Sequence, residues 1–452
     1  MNMMYDVAII GGGPGGSNAA EYATLNGLAV VLFEKNNVGG VCLNEGCVPT
    51  KTLLYSAKIY DKTKDARKYA LSVDNSELDL GRLIARKNKI LRKLSAGIKQ
   101  GFKEKNVHLV EQAAVIKGKD ADGSYLIEAG GNIYKSKKLV LATGSQTVIP
   151  PIKGIDKVEF WTSAQALDNK EKPESLTIIG GGVIGMEFVS LFSSLGTKVT
   201  VVEMMPKILG ETDEELSRML MDDFTKKGVT FHLSTKVTEV ASNKVFAETA
   251  SGEKLEIETD KIMLSVGRKP VLDGFGLETL RLEKFRNGIK VNEYMQTSDP
   301  NVYACGDITG FSLLAHTASR EGQVAVNHIL GNRDSMHYNA VPNVVYTDPE
   351  IASVGKTEKQ LSEAGITYHV KRVPLAFSGR FVIENEMKNG LCKLIVNDKN
   401  EIIGGHIIGN PASELIINVG IAIEQKMKVE QLKRIIFPHP TVGEIIHHAI
   451  YP

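Results

Sequence analysis

The residues with the clearest chemical potential are two cysteines, Cys42 and Cys47, in the glycine-rich stretch GGVCLNEGCVPTK. Cysteines separated by four residues can close a small disulfide, and neighbouring glycines let another ring or backbone approach closely. The chain has only 4 cysteines, too few for a secreted disulfide scaffold. In a reducing compartment such a pair is more often catalytic than structural, so the spacing predicts redox chemistry.

A strand and a glycine-rich turn lie just upstream of the thiols. The apolar run YDVAII leads into a GxGxxG motif, and a glutamate ends the next apolar run. Glycines in this turn allow close approach to a pyrophosphate, the following helix presents its N-terminus, and the acid accepts a hydrogen bond from a ribose hydroxyl. The predicted site residues are Gly11, Gly13, Gly16 and Glu34. The motif therefore predicts a dinucleotide site beside the cysteines.

The same fingerprint recurs at Gly180, Gly182 and Gly185, with Glu203 as its acid. Glycines and acid are shifted together by 169 positions, so the two copies align without a gap and predict two dinucleotides. Glu203 is followed by MMP rather than by arginine or lysine, which favours NAD over NADP. The alternative is that Glu203 simply faces solvent at a strand end.

Composition and charge exclude several partner classes. The 452 residues are 42% hydrophobic, enough for about three domains, and the net charge of +1 gives no field that would attract nucleic acid or anionic lipid. The longest apolar runs have strand length, so no membrane association is expected. The first residues run almost directly into a strand and leave no room for a leader, which predicts a cytoplasmic protein. No metal site is predicted.

The order of patterns predicts an α/β protein with two Rossmann-like dinucleotide-binding domains and a C-terminal α+β domain. Residues 82–105 read as a long basic amphipathic helix with a solvated charged face. From 338 onward, short strands at 344–346, 391–396 and 402–408 alternate with helices at 357–364 and 412–426. The predicted segments are the first nucleotide unit at 1–145, an inserted second unit at 146–265, a return to the first at 266–337, and the separate domain at 338–452.

Thiol chemistry near neutral pH also requires a base, because free thiols are mostly protonated there. His439 is the candidate, since two prolines restrict the backbone on either side of it and Glu444 can bind its second ring nitrogen. Cys305 and Cys392 have no partner nearby in sequence and are interpreted as small buried hydrophobic residues.

Several motifs together resemble one family over essentially the whole chain: GGVCLNEGCVPTK, GGGVIGMEF, ATGS, YACGD, VVYTDPEIASVG and HPTVGE. The chain resembles the pyridine nucleotide–disulfide oxidoreductases with an active-site CxxxxC and, within them, is most similar to the dihydrolipoamide dehydrogenases. The resemblance implies FAD in the first domain, NAD in the second and a homodimer formed through the last. It also implies a dihydrolipoyl group carried by a lipoylated E2 or H-type protein as the substrate.

The resemblance implies further roles for individual residues. Besides the two fingerprints, the residues expected to bind or flank the cofactors are Ala114, Asp307, Ala315, Gly267 and Lys51, with Lys51 paired to Glu187. The dithiol would open a Cys42–Cys47 disulfide, with Cys42 forming the mixed disulfide and Cys47 passing electrons to the flavin. His439 would act on the disulfide of the other subunit. An unusual Glu45 between the cysteines should disfavour thiolates.

Other functions stay open at this stage. A glutathione-type reductase would carry basic residues after the second fingerprint's acid, and a mercuric-type reductase would carry a cysteine pair near the C-terminus, whereas no cysteine follows Cys392. The chain could also serve mainly as a docking subunit of a larger complex. The cysteine pair, the candidate base and both dinucleotide fingerprints are all present, which favours an enzyme over a docking subunit.

The acid of the second fingerprint generates the first prediction. Replacing Glu203 with arginine should shift the coenzyme preference toward NADP, because a cation replaces the acceptor of the 2′-hydroxyl and can bind a 2′-phosphate. The measurement is kcat/KM for NAD and for NADP in each protein. An unchanged ratio would show that Glu203 does not read the ribose.

Overall fold

The computed structural model describes residues 3–386 and 388–451. These residues form 23 strands and 13 α-helices, with short 3-10 turns between them. The strands are β1 (Met4–Ile10), β2 (Val30–Phe33), β3 (His108–Val110), β4 (Ala114–Lys119), β5 (Tyr125–Ala129), β6 (Asn132–Leu141), β7 (Ser145–Thr147), β8 (Ser175–Ile179), β9 (Lys198–Val202), β10 (Thr230–His232), β11 (Thr235–Ala241), β12 (Lys244–Thr249), β13 (Lys254–Glu258), β14 (Lys261–Leu264), β15 (Arg268–Pro270), β16 (Lys284–Phe285), β17 (Gly288–Ile289), β18 (Val302–Ala304), β19 (Asn343–Val345), β20 (Ile351–Gly355), β21 (Tyr368–Pro374), β22 (Leu391–Asn397) and β23 (Ile402–Ile408).

The helices lie between these strands along the chain. They are α1 (Pro14–Leu25), α2 (Gly40–Asn44), α3 (Cys47–Lys64), α4 (Leu80–Glu104), α5 (Ser163–Asp168), α6 (Val183–Ser194), α7 (Glu214–Lys226), α8 (Ala315–Ile329), α9 (Glu358–Glu363), α10 (Gly379–Asn385), α11 (Ala412–Glu424), α12 (Val429–Leu432) and α13 (Glu444–Ile450). None of the helices in the described part of the chain is both long and apolar enough to cross a membrane.

One compact unit contains residues 3–52, 81–148 and 267–336 and is built on a seven-stranded sheet. Strands β3, β2, β1 and β6 lie side by side and parallel, and β18 joins the last part of β6. The first part of β6 also pairs with β5 in the antiparallel sense, and β5 pairs in turn with the antiparallel strand β4. Ile10, Leu141 and Ala304 share one level of the register. The segments that follow these three strands therefore meet at one edge of the sheet.

The other compact unit contains residues 53–80, 149–266 and 337–451 without residue 387. Its first sheet is parallel, in the order β10, β9, β8 and β14, and is accompanied by the antiparallel sheet of β11, β12 and β13. Its second large sheet is antiparallel, in the order β19, β20, β23, β22 and β21. One face of this sheet packs against α11 and α13 through buried Leu394, Ile407, Val419 and Ile445. Burial of such side chains contributes most of the stabilisation of an antiparallel layer of this kind.

The predicted fold class is confirmed: two sheets with a parallel core each have a glycine turn after their first strand in the chain, β1 or β8, and an α+β layer comes after them. The helix predicted at 82–105 spans Leu80–Glu104, and the strands expected after 338 lie within one or two residues of their predicted positions. The division at 145, 265 and 337 stays a prediction. Beyond the segment 53–80, the backbone passes from one compact unit to the other after residues 148, 266 and 336. The second unit therefore contains both residues 149–266 and the C-terminal residues.

The close packing at the end of β1 generates a second prediction. Gly11 has φ +107°, and a Cβ atom there would lie 2.2 Å from the Ala142 carbonyl oxygen. Gly11→Ala should therefore lower the free energy of unfolding by about 3 kcal/mol or more, through backbone strain plus a clash, and release the nucleotide. Gly27 is the matched control, because it has φ +83° and nothing within 4 Å of its Cβ position. Gly27→Ala should cost only about 1 kcal/mol in urea unfolding; equal losses would contradict the steric argument.

Candidate active site

The first glycine turn consists of bare backbone. A Cβ on Gly16 would lie 1.9 Å from the Gly11 carbonyl oxygen, so this position also excludes any side chain. Gly13 is the N-cap of α1, and among the described residues no side chain caps this helix end. Free N–H groups and the positive end of a helix dipole are what a pyrophosphate group binds. The turn thus fits the phosphates of a dinucleotide.

The acid of the turn is held in a fixed position. Glu34 is 8% exposed, and its Oε2 accepts a hydrogen bond from the Gly12 N–H at 2.8 Å. Its Oε1 accepts from the Asn36 N–H, also at 2.8 Å. The carboxylate is therefore oriented at the carboxyl end of β2, where a ribose hydroxyl needs an acceptor.

The second turn repeats this geometry in the other unit. Gly180 has φ +106°, and a Cβ on Gly185 would lie 2.2 Å from the Gly180 carbonyl oxygen. Glu203 Oε2 accepts from the Gly181 N–H at 2.6 Å, and its Oε1 accepts from the Met205 N–H at 2.7 Å. As in the first turn, the N-cap of the following helix is a glycine, Gly182, with φ −73°. Two separate sites thus have the same bare cradle and the same oriented acid, which fits one dinucleotide each.

The thiol segment packs directly on the first glycine turn. The Gly39 N–H donates to the Gly12 carbonyl at 2.8 Å, and a Cβ on Gly40 would lie 2.7 Å from the Gly13 Cα. The Asn44 side chain closes the segment by donating to the Gly40 carbonyl at 2.8 Å. Glycines at these two positions bring the cysteine-bearing helices close to whatever the turn binds.

The two cysteines differ in their surroundings. Both are thiols in this structure; Cys42 lies in α2 and is half-buried, while Cys47 is exposed and is the first residue of α3. A hydrogen bond with Cys47, together with burial, raises the pKa of the Cys42 thiol. Cys47 lies at the N-terminus of α3, a position whose dipole favours a negatively charged sulfur.

A polar network on the same unit was not recognised from the sequence. Ser145 donates to Asp307 Oδ2 at 2.5 Å, and Arg268 donates from Nε to the Ser145 hydroxyl at 2.8 Å. Burial raises the pKa of the Asp307 carboxyl, and the Ser145 hydrogen bond opposes this. Arg268 also lies within electrostatic range of Glu45 and Cys47, so the extra carboxylate between the cysteines has a cation nearby. The sequence does contain a signal for this network: an apolar strand that ends in a glycine occurs before Ser145 and again before Arg268. The segments that begin at these two residues pair as β7 and β15.

The other predicted cofactor residues occupy defined positions, but their roles stay predictions. Ala114 begins β4, Ala315 begins α8, and Gly267, with φ +113°, accepts a hydrogen bond from the Val148 N–H. Lys51 lies on α3 one turn after Cys47, and Glu187 is buried in α6. The Glu187 carboxylate accepts from the Tyr346 N–H at 3.1 Å.

The candidate base is held in one orientation by a carboxylate. His439 Nδ1 lies 2.9 Å from Glu444 Oε1, and the Thr441 N–H donates to the second oxygen of the same carboxylate, also at 2.9 Å. The Thr441 hydrogen bond and the His439 ring hold the pKa of Glu444 below its usual value. The His439 side chain is 80% exposed and its peptide bond to Pro440 is cis. The imidazole is thus held at one nitrogen and presented to the exterior, and it lies in a different compact unit from the thiols.

The two remaining cysteines are buried, as interpreted. Cys305 is 1% exposed and Cys392 is 0% exposed. Burial raises the pKa of the Cys392 thiol to about 12, and burial also raises that of Cys305. Both are therefore protonated near neutral pH and take no part in thiol exchange.

Comparisons with known proteins agree with this geometry. The family profile described as "Pyridine nucleotide-disulphide oxidoreductase" matches residues 5–322, and the profile of the dimerisation domain of the same group matches residues 341–450. Together the two profiles cover both glycine turns, the thiol pair and the candidate base.

Relatives and solved structures align over nearly the whole chain. A mitochondrial dihydrolipoyl dehydrogenase of Dictyostelium discoideum is 34% identical, covering 98% of this chain and 93% of the relative. A dihydrolipoyl dehydrogenase of Bacillus subtilis is 33% identical, covering 98% and 97%. The structure of LpdA from Mycobacterium tuberculosis superimposes with a TM-score of 0.90 at 25% identity, over 98% of this chain and 99% of that one. The HOCl-induced flavoprotein disulfide reductase RclA from Escherichia coli superimposes with a TM-score of 0.86 at 26% identity, over 99% of both chains.

The oriented histidine generates the third prediction. His439→Ala should slow oxidation of a dithiol substrate by roughly two to four orders of magnitude, the usual effect of removing a general base. Rapid-mixing absorbance measurements of the dithiol half-reaction test this. The control is His369→Ala, on the exposed side of β21, which should leave the rate unchanged. A normal rate in the His439 variant would remove this residue from the mechanism.

Proposed function

The chain belongs to the pyridine nucleotide-disulphide oxidoreductase family, and we propose that it oxidises protein-bound dihydrolipoyl groups to lipoyl groups, with NAD as the final acceptor. Enzymes of this family use FAD and NAD(H). The observation that carries the proposal is the thiol segment docked on the first glycine turn, through the Gly39 N–H and the close contact of Gly40 with Gly13. Full-length similarity to several dihydrolipoyl dehydrogenases supports the same activity.

Each cofactor has a site of suitable chemistry. FAD would lie on the first turn, with Glu34 at its ribose and Asp307 nearby, and NAD would lie on the second turn with Glu203. In this assignment, segments 1–145 and 266–337 bind FAD, 146–265 binds NAD, and 338–452 forms the dimer interface. When bound, FAD would supply the two-electron redox chemistry that links the thiol pair to hydride transfer with NAD.

The protein residues carry out thiol–disulfide exchange in two steps. His439 takes a proton from the dithiol, and the resulting thiolate attacks the Cys42 sulfur, which breaks the Cys42–Cys47 bond and leaves Cys47 as a thiolate. The second substrate thiol then attacks the substrate sulfur of the mixed disulfide, which breaks its bond to Cys42, transfers the proton of that thiol to Cys42 and releases the lipoyl disulfide. The N-terminus of α3 would stabilise Cys47 in its charged form, while burial and the hydrogen bond with Cys47 raise the pKa of the Cys42 thiol.

The active unit is proposed to be a homodimer, in which His439 of each chain serves the disulfide of the partner. This assignment is supported by the dimerisation-domain match. The dihydrolipoyl group would be carried by a lipoylated E2 or H-type protein in the cytoplasm, where a catalytic thiol pair stays reducible.

A second candidate is reduction of another disulfide at the expense of NADH or NADPH. The structural similarity to RclA favours it. The mechanism would be the same sequence of thiol exchanges in reverse, so only the substrate distinguishes the two candidates.

An anaerobic titration with dihydrolipoamide separates the candidates. The expected result is a long-wavelength absorbance band from the Cys47 thiolate beside oxidised flavin, which disappears as added NAD is converted to NADH. If dihydrolipoamide leaves the flavin oxidised while NADH or NADPH reduces it, the proposal is wrong and the second candidate takes its place.

The fourth prediction concerns the thiol nearer the proposed flavin. Cys47→Ser should retain FAD, because neither the glycine turn nor Glu34 is altered, and should lose dithiol oxidation, because no disulfide can form. Flavin content and turnover with dihydrolipoamide are the two measurements. Cys392→Ala, at a buried thiol outside the site, should retain both. Turnover in the Cys47 variant would contradict the disulfide relay.

A further inference from the structure

A lysine that is almost completely buried lies in the middle of β22 and binds three carboxylates. The Lys393 side chain is 2% exposed, and its Nζ lies 2.9 Å from both oxygens of Asp213. It also lies 2.8 Å from Glu215 and 2.8 Å from Glu358. Arg372 adds a second cation, 3.1 Å from Glu358. This Lys393 cluster connects residues 149–266 to the C-terminal sheet within one compact unit.

Asp213 has two functions in this cluster. Its side chain, 4% exposed, accepts from the Glu215 N–H at 3.0 Å as the N-cap of α7, and the same carboxylate binds Lys393. Burial is the largest single influence and opposes ionisation, but the hydrogen bond and the charge of Lys393, with smaller contributions from other neighbours, together lower the pKa of the Asp213 carboxyl. The start of α7 is therefore fixed to β22 by an ionised, buried pair.

The segment that leads to Asp213 starts at Glu203, the acid of the second glycine turn. Residues 203–213 form one loop, and its middle is held by the Leu209 N–H, which donates to the Gly181 carbonyl at 2.9 Å. Leu209 is 4% exposed and has φ +63°, a conformation that a leucine adopts only where its surroundings enforce it. Gly181 in turn donates to Glu203. The loop is thus fixed to the glycine turn at one end and to Lys393 at the other.

We propose that Lys393 is a positioning residue for the NAD site: it anchors Asp213 so that the 203–213 loop holds Glu203 and the Gly181 turn in the geometry that binds the nucleotide. The inference rests on the proposed function and extends it, because it gives a residue of the C-terminal sheet a role in coenzyme affinity. A buried ion pair is often no more stabilising than apolar residues of the same volume, so stability alone does not account for this cluster. Fixing one loop position does account for it.

The test measures binding without turnover. Calorimetric titration of the FAD-loaded dimer with NAD, and with the redox-inert fragment ADP-ribose, should show about tenfold weaker binding in Lys393→Met, a size typical of residues that act at a distance. Lys393→Arg should restore part of the affinity. Flavin content and flavin reduction by dihydrolipoamide should stay as in the unmodified protein, which a general loss of structure would not allow.

Two further variants keep the test decisive. Asp213→Asn retains the helix cap and leaves Lys393 paired with Glu358, so this protein should fold and should still lose NAD affinity by a similar factor. Arg218→Ala removes an exposed pair with Glu214 on the same helix and should bind NAD normally. The inference is overturned if both cluster variants bind NAD like the unmodified protein, or if flavin and NAD are lost together in both. Failure of the unmodified protein to bind NAD would instead overturn the proposed function.

Discussion

The contact between the thiol segment and the first glycine turn is the constraint on which the rest of the site depends. Gly40 and Gly13 approach so closely that a single Cβ would separate them, and the Gly39 N–H fixes their register. α2 begins at Gly40, so this contact lies at the start of the helix that carries Cys42, and α3 with Cys47 follows directly. Because α3 starts at Cys47, the helix dipole acts on the sulfur that must carry charge. One backbone contact therefore determines the position and the electrostatics of the reactive pair.

The two glutamates of the repeated sequence motif make the same pair of hydrogen bonds in the two units. Glu34 and Glu203 each accept with one oxygen from the glycine that follows the first motif glycine, Gly12 or Gly181, and with the other from an N–H two residues beyond the acid. Each carboxylate is thus oriented by its own turn before any ligand binds, which reduces the entropy lost on binding. The two turns differ in the segment attached to each: the thiol segment packs on the first, and the 203–213 loop is bound to the second. The two proposed nucleotide sites therefore differ in the segment that packs on each turn and not in the turns themselves.

The sequence predicts the parts of the molecule that depend on local patterns. Apolar runs beside glycine motifs locate β1 and β8, and the two prolines around His439 single it out among 10 histidines. The Arg268–Ser145 hydrogen bonds and the Lys393–Asp213 pair join residues 123 and 180 positions apart, and no local period encodes such contacts. A signal existed for Lys393, since it interrupts the apolar strand LCKLIV, but its partners could be identified only from the tertiary structure. The pairing of Lys51 with Glu187 rests on resemblance for the same reason.

The short ribbon of β7 and β15 has a consequence for how such a protein could arise. Thr147 pairs with Arg268, so the chain leaves the first unit after 148 and returns to it at 267 at adjacent points, although 120 residues lie between the two paired residues. Because β7 and β15 are antiparallel neighbours, a short hairpin turn could connect them directly. Such a turn would replace all of the residues between the two strands. The gene for a complete nucleotide-binding module can therefore be spliced into an older single-cofactor protein at one position, without disturbing the order of strands in the host sheet.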